Sequence, residues 1–130
     1  MNYSYEIYQR FIGSLFDSVD NSVELIIFIG PNDEQHIQKF IQEYKNDINK
    51  NDANKNTLKY KIIDNKNVHI VNYRFKLYYD YLLENVNIYN LIFLCDSRDV
   101  LFQKNIFLHP IISNYDLYLF EEESRHITVD

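Results

Sequence analysis

The sequence is poor in glycine, which excludes two common ways of binding phosphate. It contains 2 glycines, Gly13 and Gly30. Neither the G-x-G-x-x-G turn of dinucleotide-binding domains nor the G-x-x-x-x-G-K phosphate loop can therefore be present. Any nucleotide or other phosphate ligand would have to be held by side chains or by a metal ion.

Cysteine, basic charge and long apolar runs are also scarce. Cys95 is the single cysteine, so an internal disulfide is excluded. The net charge of -6 disfavours binding to a phosphate backbone. No apolar run reaches the roughly 18 residues of a membrane span, and residues 1–6 lack the basic flank and apolar block of a signal peptide. We expect no nucleic-acid partner and no membrane span, with the cytoplasm as the default compartment.

The spacing of apolar residues predicts alternating helices and strands. Apolar residues three and four positions apart predict helices, and short, nearly continuous apolar runs predict buried strands. The first predicted helix covers residues 3–18. The second is capped by Asn32 or Asp33, and its inner face consists of Ile37, Phe40, Ile41 and Tyr44. The third is capped by Asn72, and its inner face consists of Phe75, Tyr78, Tyr79, Leu82, Leu83 and Val86. The predicted strands cover residues 23–29, 68–71, 91–95 and 116–120.

This order predicts one α/β domain over residues 1–130. Helices between successive strands favour a mostly parallel, Rossmann-like sheet with helices on both faces. The fold looks incomplete at both ends, because a helix comes first and few residues follow the last strand, so the chain is a domain or a fragment of one. The Asn-rich stretch 46–58 has little to bury and is predicted to be a flexible loop.

Two carboxylates close the third predicted strand. Asp96 and Asp99 follow the apolar run 91–95, with Arg98 between them. Ligands bind at the carboxyl ends of strands in parallel α/β sheets. Neighbouring carboxylates stay ionised together mainly when a cation or a strong donor lies between them. Their oxygens suit Mg²⁺ or Mn²⁺, so the pair predicts a metal site that can bridge a diphosphate.

Residues 73–82 and 89–107 resemble the donor-binding half of GT-A-type glycosyltransferases. In that superfamily a helix with a basic residue precedes a strand that ends in a DxD motif, and this sequence has an Asp-x-Arg-Asp variant of it. The resemblance implies that Asp96 and Asp99 hold Mn²⁺ or Mg²⁺, and that Arg74, Asp96, Arg98 and Asp99 bind the diphosphate of the donor. It also implies a nucleotide-sugar donor and transfer of the sugar to an acceptor hydroxyl on a glycan, a protein or a small molecule. No catalytic residue is assigned.

Other interpretations of the same residues stay open. Arg98 could neutralise both carboxylates in a structural turn, and Arg74 could be a solvated surface residue. The chain could be a non-catalytic or truncated domain that keeps only the fold and exposes apolar surface of helix 3–18 and a strand edge. A haloacid-dehalogenase-like phosphatase is less favoured, because its acid/base aspartate would stand at Arg98. No acceptor-binding residues are identified, so we expect slow or no turnover by this chain alone.

Overall fold

The computed structural model describes residues 3–20, 23–48, 56–64, 69–113, 116–117 and 119. They form a small α/β structure with three helices and a two-stranded parallel sheet. In chain order these are α1 (Tyr5–Ser18), β1 (Glu24–Ile29), α2 (Glu34–Ile48), β2 (Thr57–Ile62) and α3 (Ile70–Glu84). Short 3-10 turns cover Pro31–Asp33, Ile106–Leu108 and Pro110–Ser113. Within these ranges, no helix has both the length and the apolar character needed to cross a bilayer.

The two strands run parallel, with α2 as the crossover between them. Glu24 lies opposite Thr57 at one end of the ladder, and Ile29 lies opposite Ile62 at the other. The amide of Thr57 donates to the carbonyl of Val23 at 2.9 Å, and the amide of Ile63 donates to the carbonyl of Ile29 at 2.8 Å. These bonds fix the register of β2 on one edge of β1.

The core lies between α1, α2 and one set of β1 side chains. The predicted apolar stripe of the first helix is confirmed, because all six of its residues, Tyr8, Phe11, Ile12, Leu15, Phe16 and Val19, are buried, the last of them just after the end of α1. Ile27 and Ile29 of β1 are buried as well. Each such side chain contributes about 1.5–3 kcal/mol when fully buried. The buried cluster consists of Tyr8, Phe11, Ile12, Leu15, Phe16, Val19, Ile27, Ile29, Ile37, Phe40 and Phe102. The predicted inner face of α2 is also confirmed, with Ile37 and Phe40 inside this cluster and Ile41 and Tyr44 packed against it.

Helix α3 meets the alternate side chains of β1. The ring of Phe28 lies 5.9 Å from that of Tyr78 and 6.4 Å from that of Tyr81. The Tyr81 hydroxyl donates to the Glu24 carboxylate at 3.2 Å, and the Tyr89 hydroxyl donates to the same carboxylate. Because side chains alternate along a strand, the β1 residues that meet α3 alternate with those that meet α1 and α2.

The outer part of α3 is more exposed than the sequence predicts. No residue of α3 is buried, and Phe75, Tyr79 and Leu83 are 58%, 65% and 60% exposed. Their assignment to an inner face, like that of the exposed Val86, is wrong. The described sheet has two strands, which is too narrow to cover the helix. Helix 3–18 does not expose the apolar surface that the truncated-domain alternative implies, because its apolar stripe is buried.

Two predicted strands take other conformations. Residues 91–95 belong to no strand, and Leu91, Ile92, Phe93 and Leu94 are 42–52% exposed. In the predicted strand 68–71, Ile70 and Val71 begin α3, whose cap is His69 rather than Asn72. A run this short cannot distinguish a strand from the start of a helix. Val68 lies outside the described residues.

The structure also moves the boundaries of the polar loop and the last strand. Residues 46–48 end α2, while Thr57 and Leu58 begin β2, so the predicted loop 46–58 is too long at both ends. β2 itself is not among the predicted strands. Residues 49–55 lie outside the described part. Asp116, Leu117 and Leu119 of the predicted last strand are in no strand. The other two residues of that segment, Tyr118 and Phe120, are not described.

A buried polar pair fixes α1 to the start of α2. Asp33, one of the two residues predicted to cap α2, ends the 3-10 turn before that helix and is 1% exposed. Its carboxylate accepts a 2.6 Å hydrogen bond from the Tyr8 hydroxyl and a 3.4 Å bond from the Tyr3 amide. Burial, and then the hydrogen bond to Asp33, raise the pKa of the Tyr8 phenol. The pair therefore keeps a carboxylate satisfied inside the core.

Replacing Tyr8 by phenylalanine tests this pair. Y8F keeps the ring but removes the donor to Asp33, and leaving a buried acceptor unsatisfied costs about 1–3 kcal/mol. We expect the free energy of unfolding, measured by urea denaturation, to fall by that amount. Y79F is the control, because the Tyr79 ring is 65% exposed and such a change should stay within about 0.5 kcal/mol. Equal stability of both variants would show that the Tyr8 hydroxyl stabilises nothing.

Candidate functional site

The four residues that the sequence assigns to a donor site line one cavity. The cavity has a volume of about 440 Å³ and lies between β1, α3 and the segment 89–107. Arg74, Asp96, Arg98 and Asp99 all contribute to its lining. Arg74 comes from the second turn of α3, whereas the other three follow the apolar run 91–95. The structure therefore brings the basic residue to the acidic motif from a separate element.

Asp96 and Arg74 form an ion pair at the edge of this cavity. Nη1 of Arg74 donates to Oδ1 of Asp96, and the two side chains are 33% and 64% exposed respectively. An ion pair with this exposure contributes about 0–1 kcal/mol to stability. Asp96 is therefore held in place by Arg74 but keeps oxygen surface open to a ligand.

Arg74 has a donor that the described residues leave unused. Its Nε atom is buried and has no hydrogen-bond partner among them, although its guanidinium lies 5.0 Å from the centre of the Phe75 ring. A buried donor without an acceptor costs about 1–3 kcal/mol. An anionic oxygen placed in the cavity against this guanidinium would remove that cost. The unused donor of Arg74 is therefore an argument for an anionic ligand near this residue.

Asp99 has its own guanidinium partner. Nε of Arg98 lies 4.0 Å from Oδ1 of Asp99, and the side chains are 65% and 87% exposed. Since the partner of Asp96 is Arg74, each carboxylate has a different arginine beside it. The acidic motif is thus balanced in charge, and its carboxylate oxygens remain largely open to solvent.

Helix α1 anchors the segment that carries the motif. Nη2 of Arg10 donates to the carbonyl of Arg98 at 2.7 Å, and Oγ of Ser14 accepts from the amide of Phe102 at 3.1 Å. The buried Phe102 ring lies 5.6 Å from that of Phe11. Sequence reasoning missed Arg10 and Ser14, because nothing in the local pattern of α1 indicates which distant backbone they contact.

The acidic motif offers a metal ion two carboxylates, those of Asp96 and Asp99. The described residues contain no group of three or more His, Cys, Asp or Glu side chains that could hold one. Mg²⁺ commonly binds proteins through one or two carboxylates and completes its shell with waters and substrate phosphates. The exposed oxygens of Asp96 and Asp99 fit that requirement, whereas a closed structural site would need more ligands.

Cys95 lies next to the motif but is a poor nucleophile. Burial, and then the charge of Asp96, raise the pKa of its thiol to about 11. The thiolate is the reactive form, and an ordinary cysteine has a pKa near 8.5. Cys95 therefore behaves as a packed apolar residue, as its place in the run 91–95 predicts.

The raised pKa has a measurable consequence. At pH 8 we expect alkylation of Cys95 by iodoacetamide to be at least about tenfold slower than that of free cysteine, because far less thiolate is present. Mass spectrometry at several pH values measures this rate, and the rate should still be rising above pH 9. The same protein in urea is the control and should react at the ordinary rate. A rate in the folded protein equal to that in urea would contradict the assignment.

Comparisons with known proteins do not identify this site. No protein-family model, curated protein or solved structure matches the chain. A functional assignment must therefore rest on the cavity and on the residues at its edge.

Proposed function

We propose that this chain is a GT-A-type, glycosyltransferase-like domain. It binds the diphosphate of a nucleotide-sugar through Mn²⁺ or Mg²⁺, and the sugar passes to a hydroxyl of a glycan, a protein or a small molecule. The observation that carries the proposal is the convergence of Arg74, Asp96, Arg98 and Asp99 on one cavity. A carboxylate pair with two guanidinium groups beside it is suited to a metal–diphosphate ligand, which carries charge of both signs.

Each residue at the cavity edge has a distinct task under this proposal. Asp96 and Asp99 would hold the metal, which, when bound, supplies positive charge to the leaving diphosphate. Arg74 would turn from Asp96 to the phosphate oxygens, with its unpaired Nε as a donor. Arg98 is exposed enough to reach the same oxygens. Arginine suits this task, because its planar donors match phosphate geometry.

The proposed fold goes further than the two described strands. A GT-A or Rossmann-like arrangement has helices on both faces of a parallel sheet. The parallel pair β1 and β2, and the alternation of β1 side chains between α3 and the other two helices, support it. The exposed run 91–94 supplies residues of the type that such a sheet would bury.

A non-catalytic domain that keeps only the fold is the second candidate. The observation in its favour is the exposure of large apolar residues, which in a stable catalytic domain would be covered. These residues include Phe75, Tyr79, Leu83, Ile88, Leu91, Ile92, Phe93 and Leu94. Such a domain would bind neither metal nor diphosphate at the acidic motif, so ligand binding separates the two candidates.

Calorimetry with donor nucleotides tests the proposal. We expect uridine or guanosine diphosphate sugars to bind with Mn²⁺ present and not with EDTA. D96N and D99N should each weaken binding at least about tenfold, which corresponds to 1.4 kcal/mol. D80N is the matched control, since Asp80 is an exposed aspartate of α3 that pairs with Lys76 and does not line the cavity. Binding that ignores metal, or that D80N weakens as much as D96N, would refute the donor site.

The role of Arg74 calls for a separate variant. R74M keeps an apolar stem but removes the guanidinium, so the diphosphate should bind at least about tenfold more weakly. K76M removes a neighbouring charge on α3 and should leave affinity unchanged. If R74M binds as tightly as the unmodified chain, the guanidinium serves only to hold Asp96. Circular dichroism of both variants checks that α3 is retained.

A further inference from the structure

Tyr78 lies one turn after Arg74 on α3 and lines the same cavity. Residues four apart on a helix are neighbours on one face, and a long helical side chain points back over the preceding turn. The side chain of Tyr78 therefore extends toward Arg74. Its ring lies 6.3 Å from the ring of Phe75, which belongs to that preceding turn. The sequence assigns Tyr78 to the inner face of α3 but not to the site.

The ring of Tyr78 is held at the carboxyl end of β1. It lies 5.9 Å from the ring of Phe28, which is the next-to-last residue of that strand. It also packs edge-on against Phe75, at an interplanar angle of 90°. Ligands of parallel α/β sheets bind at the carboxyl ends of strands. A side chain already fixed there loses little further freedom when it contacts a ligand.

The hydroxyl of Tyr78 adds a neutral hydrogen-bond donor to a charged cavity edge. Burial raises the pKa of this phenol, the charge of Arg74 lowers it, and the charge of Asp96 raises it. Since an ordinary tyrosine titrates near about pH 10, Tyr78 keeps its proton at neutral pH. The hydroxyl can therefore donate to an anionic oxygen beside the ion pair of Arg74 and Asp96.

Other tyrosine hydroxyls of this fold are used within the protein. Those of Tyr8, Tyr81 and Tyr89 donate to the carboxylates of Asp33 and Glu24. In the described part of the chain, Tyr78 contacts its neighbours through its half-buried ring, and its hydroxyl forms no hydrogen bond there. Packing alone would be served equally well by phenylalanine at this position.

We propose that Tyr78 is a further diphosphate-binding residue, whose hydroxyl donates a hydrogen bond to a phosphate oxygen beside the guanidinium of Arg74. This inference rests on the proposed function, because it adds a contact to the same site. The diphosphate would meet the metal at Asp96 and Asp99 on one side and two side chains of α3 on the other. A phenol suits this place, because a third cationic side chain would repel the metal ion, whereas a neutral donor does not.

The variant Y78F tests the hydroxyl, because it keeps the ring and its contacts. Calorimetry with uridine diphosphate and guanosine diphosphate at saturating Mn²⁺ measures the effect. Since a hydrogen bond to a charged group is lost, we expect Y78F to bind the nucleotide about tenfold more weakly than the unmodified chain. Y79F is the matched control, because Tyr79 of the same helix is 65% exposed and does not line the cavity. It should bind as tightly as the unmodified chain.

Two further measurements separate a ligand contact from a structural role. Y78F should keep the urea midpoint of the unmodified chain. It should also keep the affinity for Mn²⁺ alone, followed by electron paramagnetic resonance, whereas D96N should weaken it. A lower urea midpoint or weaker Mn²⁺ binding by Y78F would overturn the inference, because the hydroxyl would then act within the protein.

The nucleotide measurements also distinguish this inference from the proposed function. If the unmodified chain and Y78F bind the nucleotide equally well, the role of Tyr78 is refuted while the metal–diphosphate site stands. If the unmodified chain binds neither nucleotide, the proposed function is refuted, and the role of Tyr78 with it.

Discussion

β2 and all three helices pack on β1, which makes this strand the constraint on the rest of the structure. One edge carries the ladder to β2. Ile27 and Ile29 enter the core with α1 and α2, while Glu24 and Phe28 meet α3. A strand whose two faces are both covered by helices must be apolar nearly throughout. The sequence ELIIFI of β1 fulfils this requirement. Glu24 is tolerated at its end because Lys59 and two tyrosine hydroxyls neutralise and bind it.

The elements that could be predicted are those whose pattern is long and regular. α1, β1 and α2 satisfy this condition, because α1 and α2 have regularly spaced apolar residues and β1 is a nearly continuous β-branched and aromatic run. β2 alternates Thr, Lys and Lys with Leu, Tyr and Ile, and it follows an Asn-rich stretch that resembles a loop. The error at residues 68–71 has the opposite cause, since a short apolar run at the start of α3 imitates a strand.

The residues of the candidate site also fall into those that the sequence reveals and those that it does not. Asp96, Asp99 and Arg74 could be found from sequence, because their residue types and their places beside predicted elements are local features. Arg10 and Ser14, which fix residues 98–102, could not, because tertiary packing alone brings α1 to that backbone. The exposure of residues 91–94 was equally hidden. A sequence can show that a run is apolar, but burial depends on a neighbour at each edge.

The exposure of residues 91–94 bears directly on the acidic motif that follows them. Asp96 is held by one exposed ion pair to Arg74, and Asp99 by a looser contact with Arg98. Fixing a residue's backbone in one conformation costs about 1–2 kcal/mol, so a ligand that must order this segment binds more weakly than one that finds it ordered.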